Sequence, residues 1–356
     1  MGLTALVLVH HTAITFGAEG SWYYRAPGAA PGSSPLLTVL VTIDQAFFMG
    51  FFFLLAGSFT PGSFARKGAR RYLADRGIRL GIPLLVYGVA LGPFTIALGT
   101  GARGRRILEV WWSIVRTYGL TPGPLWFAEA LLLFAVAYAA YRSFAGAPAD
   151  APAAPLPRHA SLAFAAVATG VTAFLVRLVM PVGWTVADMQ LGYFASYVVL
   201  FATGCAAARG RWLDRVDEAY ARPWRRVTRL TIPILFVYAL IATARSGGPF
   251  LVAGGWHLPA LVYALWEPFV AWGIILTVLW RARTAPAGSR WWQTLSPRAY
   301  TVYVVHPPIV VAWSLAAVAA RLPYALVFPA VAAASIATAF WVAGLVLRIP
   351  GAARIL

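Results

Sequence analysis

Long apolar runs, separated by short polar stretches, follow one another along the whole chain. Within each run, apolar residues fill consecutive positions instead of alternating with polar ones, which is typical of membrane helices and not of barrel strands. A helix needs about 20 apolar residues to cross roughly 30 Å of hydrocarbon. The pattern therefore predicts ten membrane-spanning helices, over residues 2–18, 36–59, 80–99, 124–141, 161–180, 191–208, 230–244, 259–280, 299–319 and 324–347.

The composition excludes a set of soluble domains. Of the 356 residues, 60% are hydrophobic and only 11% are charged, whereas soluble domains carry roughly 25% charged residues. The single cysteine, Cys205, excludes an internal disulfide. We therefore expect an all-α polytopic membrane protein with one domain over residues 1–356, interrupted by a flexible cytoplasmic linker in the Ala/Pro-rich segment 145–157.

The basic residues are distributed unevenly between the predicted helices. Alternating the ten helices across the bilayer puts 21 of the 29 basic residues on one side, and short cytoplasmic loops carry such an excess. Both termini are therefore predicted to be cytoplasmic, with loop 100–123 outside. Lys67 is the one lysine, which indicates a codon bias toward arginine, so the net charge of +18 predicts no nucleic-acid partner. We expect an integral protein of a bacterial cytoplasmic membrane, with the lipid bilayer as its partner.

Ionisable side chains inside the predicted helices are candidates for function, because placing one at mid-bilayer costs about 2.5–3.5 kcal/mol. They are His10, His11, Asp44, Glu129, Arg177, Glu267 and His306. With a rise of about 1.5 Å per residue, most of them fall in the outer half, which suggests a shared cavity, whereas His306 falls in the inner half. The alternative is a structural role, with Arg177 paired to a carboxylate and the other carboxylates bonded to backbone near a kink.

The histidines are the preferred candidates for acid–base chemistry. Burial disfavours the charged imidazole, so a buried histidine is neutral and able to accept a proton from a hydroxyl. His10 and His11 are adjacent and project about 100° apart on a helix, so at most one of them faces the cavity directly. The sequence leaves open which one does, and it leaves open that either is a satisfied core residue.

Arg76 and Arg79 lie three residues apart where the third predicted helix begins. This spacing puts two guanidinium groups on one face, beside free backbone N–H groups that also favour anions. The pair predicts a site for a phosphate-bearing cytosolic donor. The alternative is attraction of both side chains to anionic lipid.

Six stretches resemble the acyltransferase 3 family of multi-span membrane acyltransferases, and in particular its glucan-biosynthesis-protein-C-like branch. They occur in the family's order over residues 1–310, which is nearly the whole hydrophobic body. The stretches are VLVHHTAITFG (7–17), AFFMGFFFLLAGSFTP (46–61), YLADRGIRLGIPLL (72–85), GPLWFAEALLLF (123–134), MQLGYFASYVVLFATG (189–204) and YTVYVVHPPIV (300–310).

The resemblance implies a ten-helix enzyme that transfers an acyl group, of acetyl or succinyl type, from cytosolic acyl-CoA. The acceptor would be a hydroxyl of a glycan or lipid-linked molecule outside the cytoplasm. Such O-acylation belongs to the acyltransferases that transfer groups other than amino-acyl groups. Acyl-CoA is then a co-substrate. We expect no bound cofactor and no metal ion, because the histidines and carboxylates form no local ligand motif.

The family's motifs map onto particular residues of this chain. The histidine of the first helix corresponds to His11, which implies that His11 deprotonates or positions the acceptor hydroxyl. The R-x-x-R motif corresponds to Arg76 and Arg79, which implies donor binding. Around these residues we expect Glu129 and Asp44 to orient His11 or the acceptor, and His306 to contact the donor. Possible supporting residues are His10, Gln45, Arg177 and Glu267.

Two positions depart from the family's pattern. In the family an arginine precedes the first-helix histidine with ten residues between them, and here it would fall immediately before Met1. We therefore expect the natural chain to start further upstream. Ala56 stands where the family usually has a serine. We interpret the family's serine as a helix-packing residue.

Two other functions remain open at the level of the sequence. A transporter or flippase would bind a small polar solute through the same polar groups and make no covalent bond. A non-catalytic scaffold would leave the buried charges unexplained. Two basic residues on the cytosolic side, opposite a histidine in the outer half, favour an enzyme whose two substrates arrive from opposite sides.

Overall fold

The computed structural model describes residues 1–101, 104–145, 155–246, 250–284 and 290–356, and these residues contain no β-strand. Most of the predicted linker, residues 146–154, lies outside the described part of the chain. The described residues form fourteen α-helices: α1 (Gly2–Thr15), α2 (Pro35–Arg76), α3 (Ile82–Val86), α4 (Gly92–Gly99), α5 (Arg105–Tyr118), α6 (Trp126–Ala145), α7 (His159–Val179), α8 (Phe194–Gly210), α9 (Glu218–Ser246), α10 (Leu258–Thr284), α11 (Arg290–Leu295), α12 (Ala299–Ala319), α13 (Tyr324–Val346) and α14 (Ala352–Ile355).

The prediction of an all-α polytopic membrane protein is confirmed. Within the described residues, eight helical segments are long and apolar enough to cross a membrane, and α1 is a shorter apolar helix. One of the eight, Pro35–Gly99, joins the predicted spans 36–59 and 80–99. Gly68 interrupts it with a left-handed φ of 70°, so the chain kinks there. The count of ten spans and the cytoplasmic termini stay predictions.

Two helices extend into segments that were predicted to be loops. Helix α5 lies within the predicted loop 100–123. It is amphipathic and rich in charged residues, so it contains no continuous apolar run that would predict a helix. Helix α9 begins at Glu218 instead of residue 230. Its start is capped, because the carboxylate of Asp217 accepts a hydrogen bond from the Tyr220 backbone N–H (2.8 Å).

Contacts divide the chain into two compact units. The first comprises Met1–Asp44, Leu73–Phe134 and Ala287–Leu356. Within it, α12 packs against α1, α4 and α13. Leu8 of α1 is buried among Val302, Val310 and Phe340, so the core of this unit brings the first helix of the chain against the last two long ones.

The second unit comprises Gln45–Tyr72 and Ala135–Pro286, with α10 packed against α7 and α9. Glycines allow α2 and α8 to cross closely in this unit. A Cβ atom at Gly57 would lie 2.2 Å from the Phe201 carbonyl oxygen, and one at Gly204 would lie 2.1 Å from that of Leu54. Small residues at such crossings are a common device of membrane helix pairs. The prediction of a single domain over residues 1–356 stays a prediction.

Candidate active site

Three aromatic rings from separate parts of the first unit form a stack, which we call the histidine group: His11, Trp22 and His306. The Trp22 ring lies against His11 with centroids 3.7 Å apart and planes 14° apart. His306 stacks with His11 at 5.4 Å and 13°. The three residues lie on α1, on the connection between α1 and α2, and on α12. The fold therefore brings together two histidines that are far apart in sequence.

Arg25 holds the connection that carries Trp22. Its guanidinium group donates hydrogen bonds to three backbone carbonyls of that connection, those of Ala18 (3.1 Å), Ala29 (3.3 Å) and Gly20 (2.7 Å). A planar guanidinium with five N–H donors is suited to such multiple bonding. The chain path that places the indole on His11 is thus fixed by bonds within the connection itself.

Several polar atoms of the histidine group are buried without a hydrogen-bond partner among the described residues. They are Nδ1 of His11, Nε2 of His306 and Nε1 of Trp22. The other ring nitrogen of His306, Nδ1, lies 2.7 Å from the Tyr303 carbonyl oxygen. Most buried polar atoms in folded proteins have a partner, and exceptions are frequent where a ligand or a reaction supplies one.

Tyrosines connect the histidine group to the helices beside it. The hydroxyls of Tyr23 and Tyr87 are hydrogen-bonded at 3.0 Å. The Tyr303 ring stacks with His306 at 5.9 Å, and its hydroxyl donates to the Pro124 carbonyl oxygen. Pro124 belongs to the turn that leads into α6, where the half-buried Glu129 lies in the first helical turn. The orienting role expected of Glu129 stays a prediction.

His10 and His11 point to different neighbours, and which of them faces a substrate cavity stays a prediction. Nδ1 of His10 lies 3.7 Å from the Asp44 carboxylate, and both side chains are buried. His11, in contrast, stacks on Trp22 and His306. Asp44 therefore lies against His10, and its expected action on His11 stays a prediction. Within the histidine group, His11 is the residue that α1 supplies.

The sequence predicts His11 in the outer half of the bilayer and His306 in the inner half, and in the structure their rings stack side by side. Counted from the predicted helix starts, the two residues differ by only two positions, or about 3 Å of rise. Both residues therefore lie near the middle of their predicted helices, at nearly the same depth in the bilayer. The donor contact expected of His306 stays a prediction.

The expectation that a helix begins at Arg76 and Arg79, with free backbone N–H groups beside them, is wrong, whereas their binding of a donor stays a prediction. No helix begins there: α2 runs to Arg76 and continues into a π-helical turn over Gly77–Gly81. The Arg79 side chain is exposed. Its backbone carbonyl accepts a hydrogen bond from the Tyr300 hydroxyl (2.8 Å).

Arg177 and Glu267 form a buried ion pair in the second unit. Nη2 of Arg177 lies 2.6 Å from the Glu267 carboxylate, and the two side chains are 1% and 3% exposed. Nε of Arg177 also donates to the Gly192 carbonyl (2.9 Å), and the guanidinium lies over the rings of Tyr193 and Tyr263. This is the pairing that the structural alternative anticipated. Removing one partner of such a pair would leave a buried charge uncompensated.

Gln45 is the remaining residue of the predicted set, and it belongs to the second unit. Its side-chain amide donates to the Tyr197 hydroxyl (3.3 Å). The Tyr197 ring in turn stacks on Phe53 at 4.9 Å. Gln45 thus joins α2 to α8 within that unit, and a part in catalysis stays a prediction.

The histidine group has the parts that proton transfer requires. A neutral imidazole can take a proton, and the indole face 3.7 Å from His11 attracts a cation there. Two imidazolium ions 5.4 Å apart would repel each other, so the pair of stacked histidines is suited to holding one proton at a time. Within the described residues, no three of His, Cys, Asp and Glu are grouped as metal ligands.

The sequence did not predict three members of the site, which are Trp22, Arg25 and Tyr303. Trp22 lies in a polar connection, where an aromatic residue is usual near a membrane surface and gives no sign of its partner. Pro307, which follows His306 directly, was a usable signal. A proline inside a helix leaves a backbone carbonyl without its donor, and a polar side chain nearby can take that place.

The fold, with its long apolar helices and its few buried polar groups, defines an integral, polytopic α-helical membrane protein. The chain belongs to the acyltransferase 3 family: residues 3–344 match the family's model, which is described as an acyltransferase domain. No curated protein and no solved structure matches the chain. The protein is therefore a membrane acyltransferase that acts on an acyl donor and an acceptor, which decides against the transporter alternative. Its placement in the glucan-biosynthesis-protein-C-like branch stays a prediction.

Proposed function

We propose that the protein transfers an acetyl or succinyl group from cytosolic acyl-CoA to a hydroxyl of a glycan or lipid-linked acceptor outside the cytoplasm. The observation that carries this proposal is the placement of His11. Family resemblance gives His11 the role of base, and in the structure its ring is stacked on Trp22 and His306 with Nδ1 buried and unpartnered among the described residues. The membrane is the cytoplasmic membrane of a bacterium.

In the proposed reaction, the acceptor hydroxyl oxygen attacks the thioester carbonyl carbon while His11 takes the hydroxyl proton. The new C–O bond forms and the C–S bond breaks. The departing thiolate receives the proton from His11, so the products are an acyl ester and CoA with a free thiol. General-base assistance of this kind contributes about 10²–10⁴ to the rate.

Arg76 and Arg79 bind the phosphates of the donor in this proposal. The Arg79 backbone is bonded to Tyr300 of α12, six residues before His306, which corresponds to about 9 Å along the helix axis. The donor's pantetheine arm would span that interval between the arginines and the histidine group. Guanidinium groups suit phosphate through paired, charge-assisted hydrogen bonds.

A thioester-turnover assay tests the proposal. Purified protein in lipid is given labelled acetyl-CoA or succinyl-CoA together with a membrane glycan extract, and both CoA release and label in the glycan fraction are measured. We expect transfer from one of the two donors. The His11→Ala variant should be slower by about a hundredfold or more, because the base is lost.

His257→Ala is the matched control. His257 lies in the second unit, where its Nδ1 accepts a hydrogen bond from the Ala260 backbone N–H at the start of α10. Its removal should leave transfer close to the wild-type rate. Equal rates for His11→Ala and the wild type would remove His11 from the mechanism. Absence of turnover with both donors, in protein that is folded, would contradict the proposed donor.

A further inference from the structure

The carbonyl of Tyr303 is released from its usual helical bond by Pro307. In an α-helix, the carbonyl of residue 303 accepts a hydrogen bond from the N–H of residue 307. Residue 307 is proline and has no N–H. The free carbonyl oxygen lies 2.7 Å from Nδ1 of His306, the residue that immediately precedes the proline. The side chain thus takes the place of the missing backbone donor.

This bond determines which nitrogen of His306 carries the hydrogen. A carbonyl oxygen can only accept, so Nδ1 must donate. In the neutral imidazole, the lone pair is then on Nε2. Nε2 is buried, with His306 itself 0% exposed, and it has no partner among the described residues. His306 is therefore held in one tautomer, with an acceptor nitrogen left over inside the histidine group.

We propose that Pro307 makes His306 a fixed hydrogen-bond acceptor for substrate: the Tyr303 carbonyl holds the hydrogen on Nδ1, and Nε2 accepts from an O–H or N–H group of the bound acyl donor or acceptor. Pro307 is then a positioning residue that acts through His306. The identity of the bound group rests on the proposed acyl transfer, whereas the tautomer does not. The two parts are tested separately.

The tautomer is measured by nitrogen magnetic resonance on full-length protein in lipid, labelled with ¹⁵N only in its histidines. The chain has five histidines, so at most five pairs of ring signals arise, and the pair lost in His306→Gln assigns His306. We expect Nδ1 to carry hydrogen and Nε2 to carry the lone pair in the wild type. Hydrogen on Nε2 of the wild-type protein would overturn the proposal.

Two adjacent prolines provide a matched pair of variants. Pro307→Ala restores the N–H that competes for the Tyr303 carbonyl, so part of His306 should change to the Nε2–H tautomer. Pro308→Ala restores an N–H toward the Val304 carbonyl, and should leave the His306 signals unchanged. Both changes improve the helix and should preserve folding. A Pro307→Ala spectrum identical to that of the wild type would show that the proline does not set the tautomer.

The substrate part is tested with two probes, CoA and methyl glucoside, at saturating concentrations. CoA presents the amide N–H and hydroxyl groups of its pantetheine arm, and the glucoside presents sugar hydroxyls. We expect one of them to shift the Nε2 signal, and which one does so identifies the source of the hydrogen. In the transfer assay, Pro307→Ala should be slower by about tenfold, with Pro308→Ala near the wild type.

The outcomes separate this inference from the proposed function. The expected tautomer together with no acyl transfer leaves the role of Pro307 standing and contradicts the proposed reaction. Acyl transfer together with an Nε2 signal that neither probe moves overturns the substrate contact of His306. Transfer that is equally fast in Pro307→Ala and Pro308→Ala, despite a changed tautomer, also overturns that contact.

Discussion

At the scale of single residues, the indole of Trp22 is placed to assist His11. A flat cation on an aromatic face gains about 0.5–2 kcal/mol, and the two rings are stacked at 3.7 Å. Trp22→Ala should therefore slow acyl transfer by about 2- to 30-fold in single-turnover measurements. Trp22→Phe keeps a weaker aromatic face and should fall between the alanine variant and the wild type.

Trp184 provides the control for this prediction. It is a largely exposed tryptophan of the second unit, with 64% of its surface accessible. Trp184→Ala should transfer the acyl group at close to the wild-type rate. If Trp22→Ala and Trp184→Ala were equally active, the stacked indole would have no part in catalysis.

Single residues of the candidate site could be predicted from the sequence, but their contacts could not. The insertion cost of charged groups identified His11, His306, Arg177 and Glu267 from the sequence alone. It could not pair them, because pairing depends on the path of the chain between helices. The stacking of His11 on His306 needs the packing of α1 against α12, and Trp22 lies on His11 in a connection that the hydrogen bonds of Arg25 hold together.

At the scale of helices, the crossing of α2 and α8 is where backbone packs against backbone. A methyl group at Gly57 would lie 2.2 Å from a carbonyl oxygen of α8, which cannot move aside as a flexible side chain can. Gly57→Ala should therefore lower the stability of the protein in detergent by about 1–3 kcal/mol through overpacking. The measurement is the midpoint of thermal unfolding.

Gly81→Ala is the matched control, because a Cβ atom there would meet nothing within 4 Å and the backbone is right-handed. Alanine favours helix over glycine, so this variant should be as stable as the wild type or slightly more so. An equal midpoint for Gly57→Ala and Gly81→Ala would mean that the two helices are not in close contact at Gly57.

The sequence predicted helix boundaries correctly where an apolar run has polar ends. The prediction failed where a helix is not apolar. The predicted span 299–319 coincides with α12 (Ala299–Ala319), and 161–180 nearly coincides with α7 (His159–Val179). Helix α5 was missed because its stability comes from one apolar face, which a search for continuous runs does not detect. The kink at Gly68 depends on a left-handed backbone that glycine allows but does not require.

At the scale of the whole molecule, the distribution of basic residues predicts the orientation in the membrane. Residues 60–79 and the C-terminal region should face the cytoplasm, and α5 should face the outside. Replacing Cys205 by serine gives a background without cysteine, into which a single exposed cysteine is introduced. Arg70→Cys and Arg348→Cys should react with a membrane-impermeant maleimide only after cells are permeabilised.

Ser113→Cys on α5 is the complementary variant, since Ser113 is exposed and lies in the loop predicted to be outside. It should react in intact cells, while a cytosolic marker protein in the same cells stays unlabelled. Labelling of Arg70→Cys from outside would reverse the orientation and would place Arg76 and Arg79 away from cytosolic acyl-CoA. The proposed path of the donor would then be wrong. The stacking of His11 on Trp22 and His306 does not depend on the orientation of the protein in the membrane. A reversed result would therefore require an acyl donor that reaches the same histidines from the other side of the membrane.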